Sequence, residues 1–196
     1  MQLSQGSKWI WAKNCPYEVN CYCEFADRFN VERPDSQVFI RISADSQYAL
    51  WINGKFADCG QYSDFPENKI YDTIDITKFI SVGENELRIL AYYQGTSTST
   101  YKAGAAGIIY DVLCENKALT FSSSNTLSRV ALEYKNGPAE LVSPQSSYTF
   151  YHNASQRGQN AWTESAVIFN NAKWIIVCKI AQSLLQLAVG MLSARY

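Results

Sequence analysis

The chain has no excess of charge of either sign: 17 basic residues stand against 18 acidic ones, a formal net charge of −1. A nucleic-acid binder concentrates positive charge on one face, so this balance argues against a polyanion partner. Histidine is almost missing. The single one, His152, would have to serve any histidine-dependent triad, yet no Gly-x-Ser-x-Gly elbow accompanies it, and it reads as a surface or strand-end residue. There is no Cys-x-x-Cys pair, so a zinc framework lacks its usual spacing. Gly104-Ala-Ala-Gly107 has neither the spacing nor the strand–turn–helix setting of a phosphate loop, and no nucleotide site is expected. No repeat appears at solenoid or propeller periods. The apolar stretch 175–192 carries Lys179, Gln182, Ser183 and Gln186 at helical spacing. That polar stripe argues against a membrane span, and no membrane partner is expected. The first residues have no basic segment leading into an apolar core, so they do not read as a signal peptide. The expected setting is cytoplasmic unless an export signal has been removed.

Aromatic residues, by contrast, are plentiful: 13 Tyr, 9 Phe and 5 Trp. With β-branched runs and frequent Gly and Asn turns, this composition favours an all-β sandwich. A chain of this size buries roughly 70% of its unfolded surface, so its core needs no staple. The six cysteines, Cys15, Cys21, Cys23, Cys59, Cys114 and Cys178, are therefore expected as packed free thiols. Cys21 and Cys23 are two apart and share one face of a strand, which would allow them to ligate a metal together. Packing is the simpler reading, and no cofactor is expected.

The segment from Ile40 to Phe56 is the most informative. It reads as two short strands followed by an Asn53-Gly54 hairpin, the dipeptide that supplies the two positive-φ positions of a tight type I′ turn. Further strands are expected over 8–12, 21–31, 37–43, 48–52, 87–93, 106–114, 119–122, 128–134 and 147–151. Residues 59–69 read as a loop. Beyond it, Asp75 or Thr77 is placed to cap a single helical turn and Gly83 to end it. The expected organisation is a β-sandwich over 8–172 and an apolar tail over 173–196, helical, disordered or truncated.

The chain resembles the N-terminal accessory domain of bacterial α-L-rhamnosidases. The residues that carry the resemblance are Lys8-Trp-Ile-Trp-Ala12, Arg41-Ile-Ser-Ala-Asp-Ser-Gln-Tyr-Ala-Leu-Trp-Ile-Asn-Gly-Lys55, Tyr71-Asp-Thr-Ile-Asp-Ile-Thr77, Gly83-Glu-Asn-Glu-Leu87 and Gly107-Ile-Ile-Tyr110. It covers residues 8 to 165 and implies a jelly-roll β-sandwich of the galactose-binding-domain type. In that family a separate helical barrel supplies the paired carboxylates of an inverting hydrolysis. The implied role is a non-catalytic domain whose partners are the other domains of a parent rhamnosidase, and rhamnose-containing glycans. A stand-alone carbohydrate-binding module and an interaction protein dimerising through its apolar tail are the alternatives.

Six acids crowd the middle of the chain: Asp45, Asp58, Asp64, Glu67, Asp72 and Asp75. Turn and capping roles are the plain expectation. A structural Ca²⁺ held by some of them is a weaker one, since hard cations take oxygen ligands. For ligand contact the strongest candidates are Tyr62, Asp64, Tyr93, Gln94 and Tyr101, which offer flat aromatic faces, a carboxylate and an amide. Sugar contact, packing against a neighbouring domain and plain loop structure all remain open for them.

Overall fold

In the computed structural model, residues 3–33, 37–61, 64–169 and 173–176 are described. Period-two alternation governs the strands. They are β1 (Ile10–Ala12), β2 (Cys21–Val31), β3 (Val38–Asp45), β4 (Gln47–Ile52), β5 (Lys55–Gly60), β6 (Asn68–Asp75), β7 (Gly83–Tyr93), β8 (Gly107–Cys114), β9 (Lys117–Phe121), β10 (Leu127–Val130), β11 (Thr163–Val167) and β12 (Lys173–Ile176). The order β12-β6-β3-β8-β1-β11-β10-β2-β7-β4-β5, with β9 beside β8, folds over to give the two layers of an all-β sandwich. One layer is β6-β3-β8-β9 and the other is β10-β2-β7-β4-β5, with β1 and β11 joining them. The pairings are antiparallel except for β12 against β6.

Alternate residues of both layers meet in one core. β2 contributes Cys21, Cys23, Phe25, Phe29 and Val31, while β3 contributes Val38, Ile40, Ile42 and Ala44. Each large side chain buried this way contributes roughly 1.5–3 kcal/mol. Trp11 on β1 lies between the layers, with its ring centroid 5.7 Å from that of Phe25 and 6.1 Å from that of Tyr93. The expected hairpin forms: Asn53 and Gly54 adopt φ of 50° and 73° and join β4 to β5. At Gly107 a side chain is excluded by packing, because a Cβ there would lie 2.1 Å from Trp9 Nε1.

Several local expectations change. The predicted loop 59–69 is partly strand, since β5 reaches Gly60 and β6 starts at Asn68. The helical turn is a 3₁₀ turn at Thr77–Phe79, with Asp75 Oδ1 accepting from the Thr77 N–H at 2.9 Å. Gly83 does not end it. Extended Ile80 does, and Gly83 opens β7 at φ 95°. The strand expected over 128–134 stops at Val130, and 147–151 makes only an isolated bridge at Tyr148. The tail, expected helical from 175, starts instead with β12, which pairs with the edge of β6, Ile175 opposite Ile70. An unpaired sheet edge offers a row of backbone groups, and strand addition satisfies them. The rest of the tail lies outside the described residues.

Candidate functional site

Of the ligand candidates in the sequence, Tyr62 lies outside the described residues. Of the other four, Asp64 pairs directly with a buried lysine and Tyr101 joins it through Asp45, while Tyr93 and Gln94 bond to backbone and Ser46 nearby. Lys69 on β6 is 1% exposed, and its Nζ donates to Asp45 Oδ2 and Asp64 Oδ1, both at 2.8 Å. Tyr101 donates its hydroxyl to the second oxygen of Asp45. Asp64 Oδ2 accepts from Gln61 Nε2 at 2.9 Å and from the Ile70 N–H at 3.0 Å. The Gln94 side chain donates to Thr96 O at 2.9 Å, its N–H donates to Ser46 Oγ at 2.9 Å, and Tyr93 donates to Gly104 O at 3.0 Å. Burial pushes the Asp64 carboxyl upward against the pull of Lys69, and burial beside Asp45 pushes the Tyr101 phenol up strongly. A charge taken out of water is costly unless paired, and each charge of this network has a partner. The remaining acids scatter: Asp72 accepts from Tyr48 at 2.5 Å, Asp58 from the Cys59 N–H at 2.7 Å, and Asp75 caps the 3₁₀ turn.

A different arrangement lies on the outer face of β2, β7 and β4. A cleft of about 630 Å³ is lined there by Glu24, Trp51, Glu86, Arg88, Leu90, Glu133, Tyr134, His152 and Arg157. Strand register makes its floor. Glu24 stands opposite Leu90 across β2 and β7, and Trp51 opposite Arg88 across β4 and β7. Arg129 on β10, opposite Glu24, binds its Oε2 through both Nε and Nη2 at 2.5 Å. Arg88 Nε donates to Glu86 Oε1 at 2.9 Å. The guanidinium groups of Arg88 and Arg129 both lie over the indole of Trp162, at 4.7 and 4.3 Å from the ring centroid. Such stacking holds a cation and an aromatic ring in fixed relation.

The wall comes from the stretch after β10. Tyr134 stacks on Tyr22, with centroids 4.5 Å apart and planes 16° apart, and His152 lies 4.9 Å away on its other contacts. Burial and the neighbouring Tyr134 push the Tyr22 phenol up to about 12, so its proton stays in place. Glu133 completes this wall. It is 4% exposed, and among the described residues its Oε2 has no hydrogen-bond partner. A buried polar atom left unpaired costs roughly 1–3 kcal/mol. Arg157, exposed at the same cleft, has no carboxylate partner among the described residues. A glutamate, an arginine without a carboxylate partner among the described residues and flat aromatic faces thus line one cavity. The sequence reading missed this site because Glu133 and Tyr134 looked like a strand end and Trp162 lay in a stretch without pattern.

Solved structures give this fold a context. The chain superposes on a GH78 family rhamnosidase of Bacillus sp. GL1 with a TM-score of 0.78 at 19% identity, covering 91% of this chain and 20% of that one. The fold is that of a rhamnosidase β-domain. An α-L-rhamnosidase from Dictyoglumus thermophilum matches at TM-score 0.62 and 17% identity, over 87% of this chain and 22% of that one. One from Aspergillus terreus matches at 0.59 and 14%, over 84% and 21%. The chain therefore spans about a fifth of the length of these enzymes. No family model matches the sequence, and neither does any curated protein. Among the described residues no helix is long and apolar enough to cross a membrane.

Proposed function

We propose that this chain is a non-catalytic β-domain of an α-L-rhamnosidase-type glycoside hydrolase, and that the cleft between Trp51 and Glu133 binds carbohydrate for it. The observation that carries the reading is the asymmetry of coverage, in which nine-tenths of this chain corresponds to a fifth of a rhamnosidase. The chemistry of the cleft supports the second half. A sugar presents C–H faces to aromatic rings and hydroxyls that both donate and accept. Trp51 offers a ring, Glu133 Oε2 an acceptor and Arg157 donors. Hydrolysis would need two carboxyls flanking a glycosidic bond as acid and base or nucleophile. Here Glu24 and Glu86 are each held by an arginine, which leaves Glu133 without a second carboxyl of matching freedom.

The test is titration of the full chain with L-rhamnose and rhamnose-containing oligosaccharides, followed by tryptophan fluorescence and calorimetry. Saturable binding that disappears in Trp51→Ala is expected. Silence at millimolar sugar would remove carbohydrate from the proposal. Turnover of an aryl α-L-rhamnoside by the chain alone would overturn its non-catalytic half.

A further inference from the structure

Three sulfurs converge in the core, on the inner face of β2 whose outer face floors the cleft. Cys21 and Cys23 project inward from β2 and are fully buried, while Cys15, in the turn after β1, is half-buried. Cys15 Sγ stands 2.7 Å from Cys21 Sγ, Cys21 Sγ stands 3.7 Å from Cys23 Sγ, and all three lie within 4.8 Å of one another. Three sulfurs bound to one ion at about 2.3 Å stand about 4 Å apart, a spacing that Cys21 and Cys23 already have and that Cys15, on its turn, reaches by moving outward from Cys21. Among the described residues no histidine or carboxylate joins the group. That composition excludes a hard cation, which takes oxygen ligands.

A second, independent observation points the same way. Trp11 is 5% exposed, and its indole Nε1 has no conventional hydrogen-bond partner among the described residues. It lies close enough to the Cys15 sulfur to favour the thiolate slightly, the smallest of the influences on that group. A metal-bound thiolate is commonly supported by such an outer N–H.

We propose that Cys15, Cys21 and Cys23 form a three-sulfur site for one soft d10 metal ion, with Cu(I) the best match to three thiolates and no fourth ligand among the described residues. The ion enters from the half-exposed Cys15 side and meets the Cys15 sulfur first. Bonds from Cys21 and Cys23 follow, each sulfur binding as thiolate and releasing to solvent whatever proton it carries, and no electron is transferred.

The experiment titrates the reduced full chain, under anaerobic conditions, with Cu(I) and separately with Cd(II). Ultraviolet thiolate-to-metal absorption and metal analysis after desalting are the readouts. One ion per chain is expected. Cys15→Ser should abolish retention with its circular dichroism unchanged, and Cys21→Ala serves as the second variant should the first fail to fold. Trp11→Phe should weaken binding by about tenfold. A variant lacking Cys59, Cys114 and Cys178 should retain the ion. The proposal is overturned if neither ion is retained or if Cys15→Ser holds it equally well.

Discussion

Two polar regions of this molecule draw on the same residue types, tyrosines, tryptophans, carboxylates and cations, and differ in whether their atoms are already engaged. Around Lys69 each charge meets a partner from within the chain. Asp45 takes Lys69 and Tyr101, and Asp64 takes Lys69, Gln61 and a backbone N–H. In the cleft on β2, β7 and β4 the ion pairs Glu24–Arg129 and Glu86–Arg88 brace the floor, while Glu133 Oε2 and Arg157 are left over. A closed network fixes loops to strands. A region that keeps an unpaired buried acceptor beside an open cavity is organised for something that arrives from outside.

The contrast breaks most sharply at Lys69. Lys69→Met leaves Asp45 and Asp64 as buried, unbalanced carboxylates, and removing one partner of such a group costs about 3–5 kcal/mol. Urea unfolding should show this loss, while rhamnose titration of the still-folded fraction stays as in the wild type. A loss below about 1 kcal/mol would mean that water reaches the network and that the two regions are alike. Next in size is Tyr101→Phe, which deletes the phenol that donates to Asp45 and should cost about 1–3 kcal/mol. Its sugar response should again be unchanged, and a weakened response would move Tyr101 back among ligand contacts.

A smaller effect separates the regions by pH. Burial raises the Asp64 carboxyl above the ordinary carboxylate range, with Lys69 opposing. Between the ordinary value and the raised one, the folded state holds a proton that the unfolded chain has released. The contribution of Asp64 to stability is therefore fully present at lower pH and declines as pH rises through that window. Asp64→Asn lacks the titration, so the stability difference between wild type and variant should drift across mildly acidic pH and become flat near neutrality. A difference constant across that range would remove the raised carboxyl.

How far the sequence carried these regions depends on locality. Alternation located β2, β3, β4 and β7, and Asn53-Gly54 placed the hairpin, because each signal lies within a few residues. β6 was harder to read. Its Lys69 and Asp72 are buried charges, and a pattern that takes charge as exposure reads the stretch before Tyr71 as loop. The same habit drew attention to Asp64, Tyr93, Gln94 and Tyr101 as ligand groups, although their polar atoms find partners inside the chain. The cleft could not be read locally, since Trp51, Arg88, Glu133 and Trp162 come together only through the register of β4 with β7 and the return of the chain after β10. The three sulfurs lie between these cases. The pairing of Cys21 with Cys23 on one face follows from strand geometry, whereas the arrival of Cys15 depends on the turn after β1.

The least costly change should be the most informative about function. Glu133 Oε2 is a buried acceptor without a partner among the described residues, so it already lowers stability. Glu133→Gln keeps the shape, replaces one oxygen by a donor and removes the buried charge, and its effect on unfolding should stay within about 0.5 kcal/mol or be stabilising. A side chain retained for packing would show nothing else. If the carboxylate instead accepts from a sugar hydroxyl, the same variant should weaken rhamnoside binding by about tenfold, because a hydrogen bond to a charged group contributes roughly 1.5–3 kcal/mol. Calorimetry and urea unfolding of one variant therefore decide between the readings. Unchanged affinity with unchanged stability would leave the cleft as a brace between sheet and loop, and weakened affinity at equal or higher stability would make Glu133 a residue kept for its ligand.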